Sequence, residues 1–336
     1  MVLVTDSHIK LLKMKAISNR IYGSPKEVLE LINASKPQPK ENELLIKIKA
    51  TTINDYDWSI ARGKPYIYRL LFGLFKPKNL IPGMELAGVV EAIGSNVQGF
   101  QIGDEVFGDI SDYGFGTFAE YIAINEKAVI HKPKSLSFEE AAAIPHAGLL
   151  AWQGLLNYGK ITKQQKVLIN GGGGGVGTLG LQIAKMYDCH VTGVDATSKL
   201  NIMKDLGYDH VIDYKQTDFT KNGEKYDLIL DCKTKRSVFS FLKSLSPTGR
   251  YITIGGDLNK ILGVVVWGTI ISLFSLKKLA LLPLKPNEGL KKVTELFLQG
   301  KLKCQIDGPH PLEDIPKLVQ YFGDGEHKGK IVVSIY

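Results

Sequence analysis

Five consecutive glycines, Gly171 to Gly175, followed by Val176 and Gly177, constrain this chain more than any other feature. They follow a short apolar run, Lys166 to Asn170, of strand length, and precede an apolar-periodic segment, Val176 to Met186, of helix length. Read as G-x-G-x-x-G, the run is Gly172, Gly174 and Gly177. In that pattern the first glycine allows a tight turn out of the strand and the second lets the backbone approach a pyrophosphate. The third lets the helix pack closely on the sheet. Gly175 and Val176 open the helix, whose free N–H groups and partial positive charge suit phosphates. The next strand, His190 to Asp195, ends in an acid. Strand, glycine turn, helix and following acid together are the context in which this motif predicts dinucleotide binding.

The pattern around the loop extends that reading. After it, helix Ser198 to Leu206 and strands His210 to Tyr214, Tyr226 to Cys232 and Arg250 to Ile254 continue the alternation. Such alternation predicts a Rossmann-type, doubly wound parallel sheet covered by helices. Residues from about 15 to 130 differ. Short β-type runs such as LLIKI (Leu44 to Ile48), LAGVVEAI (Leu86 to Ile93) and FAEYIAI (Phe118 to Ile124) are separated by Gly, Pro and Asn, which predicts an antiparallel barrel-like domain. Between the halves, Ser137 and Glu140 form a capping-box pair ahead of AAAIPHAGLLAWQGLL, with a kink or break expected at Pro145. One more strand, Lys330 to Ile335, can pair with either domain.

Bulk properties exclude several classes. The chain is 44% hydrophobic and 23% charged, as in ordinary soluble domains. Its net charge of +8 comes from lysines spread along the chain with no nucleic-acid motif, so no nucleic-acid partner is expected. Residues 1–13 lack an h-region and read as an extension, not a signal peptide. The apolar stretch Ile261 to Ser275 is shorter than the roughly 20 residues needed to cross a bilayer. It reads as a buried helix, a subunit contact or a cleft wall, and leaves a homodimer open. Cys189, Cys232 and Cys304 have no paired spacing, so a reducing compartment, the cytoplasm, is expected.

No metal site is legible. Zinc needs converging Cys, His or carboxylate ligands, yet residues 1–135 contain no cysteine and only His8 and His131. Zinc-activated alcohol oxidation needs the metal to lower the alcohol's pKa. Direct hydride transfer to a polarised carbonyl or conjugated alkene does not.

From Met14 to the C-terminus the chain resembles the medium-chain dehydrogenase/reductase superfamily, in its zinc-free quinone oxidoreductase-like branch. The motifs are Gly83-Met84-Glu85-Leu86-Ala87-Gly88-Val89-Val90, similar to GHExxGxV with Met84 at a ligand histidine's place, and ATTINDYD (Ala50 to Asp57), with Asn54 at a ligand cysteine's place. Gly103-Asp104-Glu105-Val106, the glycine loop, and Leu206-Gly207 with His210 to Tyr214 complete them. The resemblance implies an α/β chain with two domains. One is a GroES-like β-barrel-type catalytic domain over 14–135, completed by a tail from about 305 to 336. The other is an inserted Rossmann cofactor domain over 136–304. It also implies a nicotinamide in the interdomain cleft, NADPH in most members, and quinones or α,β-unsaturated carbonyls as substrates.

The residues divide on the cofactor. Asp195 suits a free ribose 2′-OH and hence NADH, whereas Lys199, and more weakly Thr197, suits the 2′-phosphate of NADPH. The expectation is dual use with a slight lean to NADPH. Relatives place a tyrosine like Tyr214 at the adenosine phosphate, Gly255 and Gly256 at the nicotinamide side, and a lysine like Lys330 within reach of the cofactor. Asn54 and Asp57 match polar cleft positions, though both residue types also favour turns. Tyr56 is either a proton donor to the substrate or a packed core residue. His146, in an apolar pattern, reads as a core histidine. The expected function is an NAD(P)H-dependent, zinc-independent oxidoreductase acting on a small-molecule quinone or activated carbonyl. The alternatives are a zinc-free alcohol or aldehyde dehydrogenase, or a cofactor-binding sensor with little turnover.

Overall fold

The computed structural model describes residues 12–78 and 80–336; residues 1–11 of the expected extension, with His8, lie outside the described residues. Lys166–Asn170 forms the centre of a six-stranded sheet. In spatial order its strands are His210–Asp213, His190–Asp195, Lys166–Asn170, Tyr226–Asp231, Leu245–Thr253 and Lys278–Leu281. Every pairing is parallel. Strands buried on both faces need no polar alternation, which is why VLIN and LILD read as continuous apolar runs. The strand order reverses between Lys166–Asn170 and Tyr226–Asp231. In open α/β sheets ligands bind at such a switch point, outside the carboxyl ends of the strands.

The N-terminal part makes a seven-stranded sheet built on Glu43–Thr52, which pairs antiparallel with Glu85–Ile93 and with Tyr121–Asn125. The tail returns to it: Lys330–Ser334 pairs antiparallel with Glu43–Thr52, Val332 facing Thr52. Separate apolar clusters fill this sheet and the two faces of the parallel one. Between the domains, Ser137 caps helix Phe138–Ala143, with reciprocal bonds between Ser137 and Glu140 of 3.1 and 2.9 Å. The chain breaks at Ile144 and restarts at Pro145 as helix Pro145–Trp152, because proline cannot continue the hydrogen-bond ladder. That restart carries His146 into the space between the domains.

Of the expectations for Ile261 to Ser275, the buried helix is corrected, whereas Ile261 does wall the cavity between the domains. The apolar stretch forms helix Leu258–Phe274, but only Val264 and Gly268 are buried along it. Trp267, Leu273 and Phe274 are exposed at 45%, 75% and 86%. It packs on the edge strand Lys278–Leu281 through Gly268, where an added Cβ would lie 2.5 Å from a Leu279 carbonyl oxygen. An edge strand covers one side of a helix that is apolar all round. Among the described residues, no helix is long and apolar enough to cross a membrane.

Candidate active site

A cavity of about 800 Å³ opens between the domains at the switch point. Gly171, Gly174, Gly175 and Val176 form its floor, Gly255 and Gly256 line it from the end of Leu245–Thr253, and Asn54, Asp55 and Tyr56 face it from the first domain. Tyr56, Tyr68, Phe72 and Phe115 build an aromatic wall, with Tyr68 stacked on Phe72 at 5.8 Å and Tyr56 edge-on to Tyr68 at 6.1 Å.

The loop's geometry redistributes the expected glycine roles. The left-handed turn out of the strand falls on Gly171, at φ +92°, not on Gly172. Gly172 lies behind the loop, where Tyr208 donates to its carbonyl at 3.1 Å. Gly177 is the close-packing glycine: a Cβ there would lie 2.3 Å from the Gly171 oxygen. Helix Gly175–Lys185 begins with no side chain capping its N-terminus, so its first donors face the cavity unmet by protein side chains. Opposite them, His327 is buried with Nδ1 lacking any partner, and its Nε2 would sit 3.5 Å from a Cβ at Gly174. Burial first, then Lys199, Lys233 and Lys330, hold its pKa well below the usual histidine range, so it is neutral. Uncapped helix donors and an orphaned imidazole fit the pyrophosphate of a dinucleotide.

Asp195 and Lys199 meet at this end of the cavity and pair with each other at 3.5 Å. Asp195 also accepts the Gly173 N–H at 2.9 Å and the Ala196 N–H at 2.8 Å, so its carboxylate braces the loop. Burial lowers the Lys199 pKa, and Asp195 partly restores it. Two expected contacts are absent from the cavity wall. The Thr197 hydroxyl donates to Asp213, and Tyr214 is 44% exposed outside the lining.

Asn54 and Asp57 separate in role. Asn54 caps helix Asp55–Arg62 and lines the cavity; Asp57, its capping-box partner, is turned away. The Asp57 carboxylate accepts N–H bonds from Asn54 at 2.8 Å and Gly83 at 3.1 Å. Burial pushes its pKa up to about 7 against the pull of those bonds. The expectation that Asp57 reaches the cleft is therefore corrected: the residue that faces it is Asp55, one helical position past the cap. The spacing Asn54-x-x-Asp57 is itself a capping-box signal and could have shown this.

Lys330 sits at the first domain's edge of the cavity. Its ammonium contacts Glu85 at 2.6 Å and donates to Asn54 Oδ1. Glu85 also accepts from Asn54 Nδ2 at 2.8 Å and from the His146 amide at 2.6 Å. The donor set does not fit zinc. Met84 is fully buried, Asn54 offers an amide, and the lysine ammonium already satisfies the glutamate. Among the described residues, no three His, Cys, Asp or Glu side chains cluster to hold a metal.

The domain family described as "Alcohol dehydrogenase GroES-like domain" matches residues 40–134, and "Zinc-binding dehydrogenase" matches 206–333. The "Chloroplast envelope quinone oxidoreductase homolog" of Arabidopsis thaliana is 32% identical, with 96% of this chain and 98% of that protein covered. The chain belongs to the medium-chain dehydrogenase/reductase superfamily, in its quinone oxidoreductase-like branch. The "2-methylene-furan-3-one reductase" of Solanum lycopersicum is 35% identical, covering 96% of this chain and 79% of that one. The quinone oxidoreductase structure from Coxiella burnetii superposes with a TM-score of 0.85 at 27% identity, covering 97% of this chain and all of that one. This chain is an oxidoreductase with the branch's fold, a GroES-like domain beside a parallel Rossmann-like sheet.

Proposed function

We propose that this oxidoreductase uses NAD(P)H, without zinc, to reduce a quinone or an α,β-unsaturated carbonyl compound. The observation that carries the reading is the single cavity that joins the glycine loop to the aromatic wall of Tyr56, Tyr68, Phe72 and Phe115. A flat conjugated acceptor stacks well on such a wall. Relatives named for quinone and furanone reduction support it. We take 14–135 with about 305–336 as the catalytic domain and 136–304 as the cofactor domain.

Bound NAD(P)H would supply the hydride; the protein's work is positioning and polarisation. The N–H groups of Gly175 and Val176 would hold the pyrophosphate, with Gly174, whose own N–H is held by the Gly171 carbonyl, allowing its close approach, and Asp195 with Lys199 would face the adenosine ribose. Gly255, Gly256, Asn54 and Lys330 would border the reacting end. Because Lys199 is already neutralised by Asp195 at 3.5 Å, neither ribose is strongly favoured. We infer dual use with a slight lean to NADPH, taken from the family. The exposed apolar face of helix Leu258–Phe274 supports a homodimer. Three unpaired cysteines suit a reducing compartment, for which we propose the cytoplasm.

The test is steady oxidation of NADH and NADPH with a panel of quinones and enones, beside NAD(P)⁺ reduction with alcohols. Turnover on the acceptors and none on the alcohols is expected. Activity on alcohols alone, or tight nucleotide binding with no turnover, overturns the reading.

A further inference from the structure

His146 enters the cavity wall between two carboxylates from distant parts of the chain. Its Nδ1 lies 2.9 Å from Asp109 Oδ2, and its Nε2 lies 3.5 Å from Asp55 Oδ1. The Asp109 side chain is fully enclosed, whereas half of the Asp55 side-chain surface is open to the cavity. A neutral imidazole can hydrogen-bond Asp109 but carries no charge for Asp55; the imidazolium donates to Asp109 and pairs as a cation with Asp55. Of the other groups near the ring, Asp112 adds a third carboxylate and the rest are neutral or paired. Tyr56 approaches edge-on at 6.4 Å, and Tyr68 stands behind it. Asp112 lines the cavity beyond Asp109. Glu85, which accepts the His146 amide, is neutralised by Lys330 at 2.6 Å.

We propose that the His146 imidazolium is the proton source of the reduction, delivering through Asp55 to the acceptor, with Asp109 as the positioning residue. This rests on the quinone or enone reductase reading above. Bound NAD(P)H would supply a hydride, two electrons and one hydrogen, to the acceptor. The acceptor is left as an enolate or hydroquinone anion, one proton short. The Nε2–H bond of His146 then breaks as the proton crosses the Asp55 carboxylate and bonds to the anionic acceptor in one concerted movement, Asp55 ending ionised as it began. The neutral imidazole remains hydrogen-bonded to Asp109 through Nδ1 and takes a proton back from water by way of Asp55 after product leaves.

The proton affinities of the two end groups suit this path; against burial, His146 holds the Asp55 carboxyl below its usual range, so Asp55 passes the proton on without storing it. Burial alone would strip His146 of its proton, but Asp109 and Asp55 outweigh it and hold its pKa up to about 10. A hydroquinone oxygen titrates like a phenol, at about 10, so the transfer is close to balanced, the condition under which general acids work best. Tyr56 is the weaker candidate. Burial first, then Asp55, Asp109 and Asp112, raise its pKa and tighten its hold on its proton.

The experiment combines nitrogen NMR of histidine-labelled, cofactor-free protein with kcat against pH for benzoquinone and methyl vinyl ketone. Wild type is compared with His146→Gln, Asp55→Asn and Tyr56→Phe. At about pH 8, where a free histidine is neutral, both ring nitrogens of His146 should still be protonated. His146→Gln and Asp55→Asn should each lower kcat by about a hundredfold, the general-acid range, with KM and nucleotide affinity nearly unchanged. The alkaline fall of kcat near pH 10 should vanish with His146. Asp55→Asn, at the cavity surface, carries the kinetic test if His146→Gln does not fold. A neutral His146 at that pH, or wild-type kcat and pH profile in these variants, overturns the proposal, as does a loss confined to Tyr56→Phe. If wild type reduces neither acceptor, the functional reading fails, while the NMR still decides the state of His146.

Discussion

Replacing Asp195 tests how the protein reads the ribose end of its cofactor. The Asp195 carboxylate and Lys199 ammonium lie 3.5 Å apart, and their residues are 8% and 2% exposed. At an effective dielectric of about 20, opposite charges at that distance attract by about 5 kcal/mol before desolvation is subtracted. Removing one partner of such a buried pair typically costs about 3–5 kcal/mol, because the other charge is left uncompensated. Asp195→Ala also removes the acceptor of the Gly173 N–H that braces the loop. The variant should therefore be clearly less stable without nucleotide. A 2′-phosphate carries about −1.5 to −2 charges and can replace the lost carboxylate, so NADPH should restore more stability than NADH. The specificity ratio should move toward NADPH by about tenfold, roughly 1.4 kcal/mol. Lys199→Met should move it toward NADH by a similar factor, with a smaller stability loss, since Asp195 keeps its two amide donors. The assays are thermal melts with each nucleotide and kcat/KM for each in every variant. If Asp195→Ala keeps both its melting temperature and its nucleotide ratio, the pair does not face the ribose and the reasoning fails.

Other consequences are as direct. Gly174→Val places methyl groups where the backbone must meet the pyrophosphate, beside His327; calorimetry should show nucleotide affinity down by at least about tenfold, about 1.4 kcal/mol, with the fold intact. Lys330→Met leaves Glu85 buried beside no cation, and denaturant melts should show a loss of about 3–5 kcal/mol. His146 carries its proton up to about 10 folded against 6.5 unfolded. Its contribution to stability is thus complete below pH 6.5 and lost as pH rises through 10; urea midpoints should fall across that window in wild type and not in His146→Gln. Elemental analysis should find less than about one zinc per chain, and chelators should leave activity intact, since Met84 and Asn54 are not zinc ligands.

What the sequence determined by itself is what depends on neighbours along the chain. The glycine run, its strand and its helix form one local unit, so turn chemistry and periodicity sufficed to place the phosphate end. The alternating strands were legible for the same reason, each buried run ending within a residue or two of its expected bound. Capping at Ser137 and the break at Pro145 are likewise local. Some errors also came from short range. The positive-φ turn fell one residue early, on Gly171, and helix phase, set by the Asn54 cap, turned Asp57 inward and Asp55 outward.

Only the tertiary structure decided the reacting end of the cavity. His146 looks like a core residue because its sequence neighbours are apolar. Its meaning comes from Asp55 and Asp109, brought in from a helix and a strand of the other domain. Lys330 meets Glu85 and Asn54 only because the tail strand returns to pair with Glu43–Thr52. Asp195 and Lys199, by contrast, read as rivals yet pair at i,i+4 spacing, a local contact that the sequence did carry. Burial explains the difference for His146 and Lys330: a buried charge must find its counter-charge wherever the fold brings one, and residue spacing along the chain carries no record of that partner.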